Sequence, residues 1–495
     1  MERFILSLDQ GTTSSRAILF DKEGTERAKA QKPFRQIYPR PGWVEHDAEE
    51  IWETQIGTAR EALRAAGVEA RQVAAIGIAN QRETAVFWDA RTGKPCSHAI
   101  VWQDRRTADI CRGLAASGMA ERISASTGLL LDPYFSATKV KWLLENDPAV
   151  RDLAQAGHLR FGTVDSWLDY RLTGQHLTDP SNASRTMMYD IRAGRWDEGI
   201  LSTLGIPASV LPRVVPSSSA FGTASRDILG AEVPVTGVLG DQQAALLGQA
   251  CLKPGSVKIT YGTGCFCLLH TGAVAYPSRN RLLTTIAWDL GHGPEYALEG
   301  SVFAGGAVVQ WLRDELKVLS SSAESEAMGR AVADTGGVYF VPAFTGLGAP
   351  WWDPDARGAL FGITRGTNRD HVVRAGLESI AYQVRDLIDA MEADFGRRIL
   401  ALRTDGGASV NAFLMQFQSD ILGMPLVRPR SPETTALGAA FAAGLSVGFW
   451  KDTEEIAALW RADREFFPSM DEGTRCGLLA GWKRAVEAAR FFSRR

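Results

Sequence analysis

Phe4-Ile5-Leu6-Ser7-Leu8-Asp9-Gln10-Gly11-Thr12-Thr13-Ser14-Ser15-Arg16-Ala17-Ile18-Leu19-Phe20 decides the fold of this chain. Residues 4–8 are an apolar run of strand length, residues 9–15 interrupt it, and residues 17–20 resume it before Asp21-Lys22-Glu23-Gly24 turns the chain again. Two apolar runs around a polar, glycine-containing turn predict a β-hairpin. Four consecutive hydroxyl residues, Thr12, Thr13, Ser14 and Ser15, stand beside one glycine. Gly11 lets backbone N–H groups approach a ligand, and the hydroxyls add donors. A concave set of donors suits a phosphate. Asp9 cannot serve an anion, but it can serve a Mg²⁺ held by phosphates, directly or through water. Arg16 can reach a phosphate from the rim. The same residue types also build an ordinary hairpin turn.

Size and composition narrow the field. The chain has 495 residues, more than one core usually holds, so two large domains are expected. With 45% hydrophobic and 22% charged residues it reads as an ordinary globular protein. A formal net charge of -3 gives no electrostatic footprint for nucleic acid. The longest apolar stretches fall short of a membrane span. The chain enters its first apolar run without a basic region or cleavage site, so no secretory signal is expected. Cys96, Cys111, Cys251, Cys265, Cys267 and Cys476 form no C-x-x-C pair, which points to reduced thiols in the cytoplasm. The seven histidines form no zinc pattern, and no G-x-x-x-x-G-K-[ST] occurs. Gly262-Thr263-Gly264 does not extend to G-x-G-x-x-G, because Cys267 takes the third place.

Further along, residues 26–34 read as a third antiparallel strand. Asp47 resembles a helix N-cap with Glu50 three residues later, and Trp52, Ile56, Ala59, Leu63 and Ala66 follow at helical spacing toward Gly67. Residues 73–79 are a buried strand, giving three strands, a helix and a strand, the order of an α/β domain on a mixed sheet. That strand ends in Asn80-Gln81-Arg82-Glu83-Thr84. Open α/β sheets place ligands at strand ends. Arg82 and Glu83 together supply donors and acceptors, which suits a polyol; a surface ion pair is the commoner use of such residues. Trp102 and Tyr134 either wall a small pocket or fill the core. Asp165, Asn182 and Arg185, within residues 163–190, carry no assigned role. A strand over residues 233–239 hands over at Gly240-Asp241-Gln242-Gln243 to a helix, whose dipole keeps Asp241 ionised; a plain N-cap is compatible with the same position.

Around residues 252–255 the layout begins again. Residues 257–261 are a strand, Gly262-Thr263-Gly264 a tight turn and residues 265–270 the returning strand. Two such hairpins, each opening a half of similar size, predict a duplicated domain with a nucleotide between the halves. Paired glycines at 305–306 precede a helix over 308–316. Gly406-Gly407 stand between a strand and a helix beginning near Asn411, an anion or nucleotide site by dipole and free N–H groups. Residues 435–444 are an Ala/Gly-rich, tightly packed helix. The 49 glycines are about 10% of the chain against a norm of ~7%.

Asp9-Gln-Gly-Thr-Thr-Ser-Ser-Arg16, Pro41-Gly-Trp-Val-Glu-His-Asp47, Asn80-Gln-Arg-Glu-Thr84, Gly240-Asp-Gln-Gln243, Tyr261-Gly-Thr-Gly264 and Asp405-Gly-Gly-Ala408, in this order over nearly the whole chain, resemble the FGGY carbohydrate kinase family at its glycerol-phosphorylating members. The resemblance implies an α/β fold of two ribonuclease-H-like domains of the actin/hexokinase ATPase type, residues 1–249 and 250–495, with ATP and glycerol in the cleft between them. It implies a cytoplasmic homo-oligomer, dimer or tetramer, using Mg²⁺ near Asp9. By the same resemblance Arg82, Glu83, Trp102, Tyr134, Asp241, Gln242 and Phe266 contact glycerol. Thr12, Thr13, Ser14, Arg16, Thr263, Gly306, Gln310, Gly407 and Asn411 contact the nucleotide, and Asp241 is the catalytic base. The segment Asp227-Ile-Leu-Gly-Ala-Glu-Val233 departs from the pattern. It is short and lacks the Gly-Thr-Arg with which some bacterial members bind a sugar-bisphosphate inhibitor. Residues 468–477 also differ from members that dock a sugar-transport regulator. The alternatives are a kinase of another polyol or ketose, and an assembly or chaperone ATPase needing the phosphate turns but no Arg82, Glu83 and Asp241.

Overall fold

The computed structural model describes residues 2–493. The opening hairpin is present as strands Phe4–Gln10 and Ser14–Phe20, antiparallel with Asp9 opposite Arg16. Glu26–Pro33 adds the third antiparallel strand. On the other side Val73–Asn80 and then Val233–Gly240 join in parallel, and Ser218–Ala224 closes that edge antiparallel. Every residue of Phe4–Gln10 and Val73–Asn80 is buried, as expected of strands covered on both faces.

The second half repeats this order. Val257–Tyr261 and Cys265–Gly272 form its hairpin, and Pro294–Val302 is the third antiparallel strand, with Leu283–Asp289 beyond it. Leu402–Asp405 and Leu426–Pro429 join in parallel, and Ala462–Phe466 closes the edge. The duplication expected from two glycine-turn hairpins is therefore present in the strand order itself.

Helix termini follow local chemistry. Ala48–Ala66 begins where the Asp47 carboxylate accepts the N–H groups of Glu49 and Glu50, and ends at Gly67 with φ 65°. Glu50 does not reach back as in a reciprocal box; its carboxylate accepts the Arg35 N–H at 3.0 Å. The helix expected from residue 308 starts two residues earlier, as Gly306–Asp314. Arg369–Phe395 stops at Gly396, and the Asn411 side chain caps Ala412–Leu422.

Two helices join the halves. Each follows the second parallel strand of its own half: Asp241–Gly248 in the first, Thr434–Ser446 in the second. The second lies on the first half's sheet, touching Phe4–Gln10, Val73–Asn80 and Val233–Gly240, and crosses the first. The core between the halves contains Ile5, Phe20, Leu239 and Leu268, with the alanines from Ala439 to Ala443. Glycine permits this approach. A Cβ on Gly438 would collide with the carbonyl of Ala244, one on Gly248 with that of Thr434, and one on Gly77 with that of Ala439.

Gly438→Ala therefore forces backbone against backbone and is expected to cost about 2–4 kcal/mol, read as a lower urea midpoint and melting temperature. Gly57→Ala is the opposite case. It sits in the interior of Ala48–Ala66 with open space around its Cβ position, and is expected to gain about 0.5–1 kcal/mol.

Candidate active site

The first turn sits where Phe4–Gln10 meets the crossing helices. Side chains alternate along that strand, with Leu6 and Leu8 in the first half's core and Ile5 in the core between halves. Asp9 shares the Ile5 face. Burial pushes its carboxyl up to about 6 against the pull of Arg16, with Glu433 and Asp241 adding to the rise. Of the four hydroxyls, Ser15 turns inward to Thr54 at 2.8 Å. Thr12 accepts the indole N–H of Trp102 at 3.0 Å, Ser14 accepts Gln31 Nε2 at 2.8 Å, and Thr13 is exposed. The Arg16 guanidinium pairs with Glu433 and lies 3.7 Å from Asp9.

The second turn is laced to a helix start. Gly305 and Ala307 donate backbone N–H groups to the Thr263 carbonyl at 2.9 and 3.0 Å, and Gly306 donates to that of Gly262 at 2.8 Å. A Cβ on Gly264 would stand 2.5 Å from the Val302 carbonyl, and one on Gly306 2.8 Å from that of Gly262. Gly406, at φ 88°, packs against the Tyr261 backbone, which brings the Asp405-Gly-Gly motif beside this turn. Gly407 and Gln310 are exposed. Asn411 is partly committed, accepting Leu414 N–H at 2.9 Å and donating to Ser325 at 3.2 Å.

Adjacent residues at the start of Thr434–Ser446 link the two turns. Glu433 pairs with Arg16, while the Thr434 hydroxyl donates to Asp405 Oδ2 at 2.7 Å. Gln249 Nε2 donates to the same oxygen at 2.8 Å.

Between the turns lies a buried ionic cluster. Arg82 and Glu83 are 3% and 1% exposed, so they are no surface pair. Glu83 has φ 61°, the left-handed region, which turns the chain off the strand end. Arg82 grips Glu299 of the second half with both terminal nitrogens, at 2.5 and 2.9 Å. Arg185 donates to Glu83 at 2.6 Å and to Glu299 at 3.0 Å. Burial alone would raise the Glu299 carboxyl; the guanidinium groups of Arg185 and Arg82 overcome it and hold it at about 2. The remaining edge of Arg82, Nε, points to Asp241 Oδ1 at 3.3 Å. Asp241 is the first residue of its helix, after Gly240 at the N-cap position, and accepts the Gln242 N–H at 2.7 Å. Gln242 Oε1 takes the ammonium of Lys258 at 2.5 Å. Lys258 is wholly buried, and desolvation lowers its pKa against the pull of Asp405 and Asp241. Trp102 and Tyr134 meet edge to face at 5.6 Å, both partly exposed, and Tyr134 also packs against the core around Phe135. Phe266 alternates with the core residues Cys265 and Cys267 and so faces the first half.

Contacts thus connect Arg82 to Glu83 and Asp241, and Trp102 to Tyr134, with Gln242 next in the chain to Asp241; Phe266 is placed toward the first half by strand alternation alone. The turn carrying Thr12 reaches this group through the Trp102 indole, and the strand that leads to Thr263 carries Lys258, which donates to Gln242. Sequence reasoning missed Glu299, Lys258 and Gln243 and left Arg185 unassigned. Lys258 was discoverable as the one charged residue of Val257–Tyr261, and Glu299 as a charge beside Leu298 deep in a strand that also carries Glu295 near its start. Arg185 and Gln243 gave no such signal.

The chain resembles known proteins over nearly its whole length. The model of the FGGY family of carbohydrate kinases, N-terminal domain, matches residues 4–248, and that of its C-terminal domain matches residues 257–447. A glycerol kinase of Symbiobacterium thermophilum is 60% identical over 98% of each chain. Glycerol kinase 2 of Thermotoga maritima is 58% identical over 98% of each. The crystal structure of Plasmodium falciparum glycerol kinase with ADP superposes with a TM-score of 0.94 at 37% identity, covering 99% of this chain and 98% of that one. Both halves, the order of their motifs and the buried cluster between them lead to one assignment: this chain belongs to the FGGY family of carbohydrate kinases.

Proposed function

We propose that this chain transfers the γ-phosphoryl group of ATP to glycerol, giving sn-glycerol 3-phosphate and ADP, as the first step of glycerol catabolism. The observation that carries this reading is the Asp241 carboxylate, partly exposed at a helix N-terminus, beside a fully buried arginine–glutamate pair. The name glycerol kinase on relatives 57–60% identical supports the same substrate. The two domains divide at about residues 249 and 250, and the protein works as a homo-oligomer in the cytoplasm. The free thiols are in keeping with that compartment.

Phosphoryl transfer passes through a loose transition state, so alignment and charge neutralisation matter more than a strong base. Arg82 and Glu83 hold the polyol hydroxyls as donor and acceptor. Trp102, Tyr134 and Phe266 cover its carbon face. Asp241 orients the attacking hydroxyl and accepts its proton late in the transfer. The turns of Thr12, Thr13, Ser14 and Thr263 present N–H and hydroxyl donors to the phosphates, and Gly306, Gln310, Gly407 and Asn411 border the rest of the nucleotide. Arg16, held between Asp9 and Glu433, contributes positive charge at the rim. Asp9, with Asp241 and Glu433 near it and Arg16 only partly balancing them, would fit a hydrated Mg²⁺. Such an ion would offset the charge of the phosphates.

An ADP-release assay across glycerol, other polyols and ketoses tests the assignment. Glycerol is expected to lead by at least about tenfold in kcat/KM, with little ADP released when no polyol is present. Preference for a ketose, or polyol-independent hydrolysis, contradicts it. Asp241→Asn is expected to lower kcat by about 10²–10⁴ while calorimetry finds glycerol affinity little changed. Asp9→Asn addresses the buried carboxyl. Because its folded pKa is raised to about 6, from an ordinary 3.8, the folded state holds the proton more tightly. Stability therefore falls as pH rises between those values, and the ionised form costs about 1–3 kcal/mol at pH 8. Asp9→Asn should melt higher than the parent at pH 8, with the difference gone near pH 4, while Mg²⁺-dependent nucleotide binding weakens.

A further inference from the structure

Side-chain amides pin two carbonyl oxygens of the first turn inward. The Gly11 carbonyl accepts Gln10 Nε2 at 2.9 Å and Gln81 Nε2 at 3.1 Å. The Thr12 carbonyl accepts Gln36 Nε2 at 3.1 Å. In a trans peptide the N–H points opposite to the C=O of the same unit. Fixing these two carbonyls therefore turns the N–H groups of Thr12 and Thr13 the other way. Neither donates to another protein atom among the described residues. Two adjacent outward N–H groups beside exposed Thr13 make an anion-binding concavity.

The amides are themselves held. Gln36 Oε1 accepts His46 Nε2 at 2.8 Å; Gln81 Nε2 donates to Gln10 Oε1 at 3.0 Å as well as to Gly11, with the other ring nitrogen of His46 farther off at 3.4 Å. His46 is fully buried, and desolvation lowers its pKa to about 4. It is therefore neutral near pH 7, with its proton on Nε2 toward Gln36 and a lone pair toward Gln81. Gln81 Oε1 accepts the Thr84 hydroxyl at 2.9 Å, and Thr84 accepts the Trp102 backbone N–H at 3.3 Å. The circuit closes where the Trp102 indole donates to Thr12.

We propose that Gln81 and Gln36, braced by His46, are positioning residues that aim the first turn's N–H groups at the nucleotide phosphates and tie that turn to Trp102 on the polyol wall. This gives the Pro41-Gly-Trp-Val-Glu-His-Asp47 motif a role through His46. It rests on the reading that this turn holds nucleotide phosphate.

Calorimetric binding of ATP and of adenosine, without polyol and so without turnover, tests it. Gln36→Met keeps the size of a half-buried side chain and removes the donor to Thr12. Gln81→Glu keeps the acceptor for Thr84 and replaces the donor to Gly11 with an oxygen. Trp102→Phe keeps an aromatic wall and removes the bond to Thr12. Each is expected to weaken ATP by about fivefold to tenfold and leave adenosine unchanged. Unchanged ATP affinity in Gln36→Met and Gln81→Glu with parental melting temperatures overturns the proposal. So does an equal loss for ATP and adenosine, which marks general damage. If the parent protein binds no ATP, the kinase reading falls first.

Discussion

The crossing of Asp241–Gly248 over Thr434–Ser446 is the constraint on which the rest of the molecule depends. Two helices approach this closely only where neither carries side chains at the contact. Gly248 and Gly438 meet that condition on the helices, and Gly77 and Gly237 meet it on the sheet beneath. Both helix N-termini then open toward the same space. One carries Asp241; the other carries Glu433 and Thr434, which hold Arg16 and Asp405. Fixing one crossing fixes the separation of the two glycine turns and the carboxylate between them.

The second joint is electrostatic. Arg82 and Arg185 from the first half share Glu299 from the second, with Glu83 completing the group. Burying four charges is costly unless every group is paired. For Arg82 the pairing leaves the Nε edge, which faces Asp241 at 3.3 Å and Glu83 at 3.9 Å. On the proposed reading, a polyol bound here would meet a guanidinium and a carboxylate already desolvated and aimed, so that little reorganisation would accompany binding. Because Glu299 belongs to the other half, this pocket is complete only when the halves are docked.

Much of this was legible in one dimension. The hairpins around Gly11 and Gly262-Thr263-Gly264 declare themselves by apolar runs and turn chemistry, and their repetition announced two halves built on one plan. Asp47, Gly67 and Asn411 marked helix ends by local rules that need no tertiary partner. Arg82, Glu83 and Asp241 stood out because each follows a buried strand, where α/β sheets expose their ends. Other features escaped. The Glu50 side chain leaves its own helix for Arg35, a competitor that only folding brings near. Arg185 looked ordinary because its partners are 102 and 114 residues away.

What the sequence determined by itself was the set of elements, their duplication and the residue types offered at each strand end, because periodicity, capping and turn chemistry act within a few residues. The tertiary structure alone decided which charges meet. Glu299 finds Arg82 across 217 residues, and the same glutamate on an exposed strand would carry no such role. Desolvation, pairing and the aim of a side chain depend on what surrounds it in space, and that becomes defined only when the two sheets close on the glycine-lined helices between them.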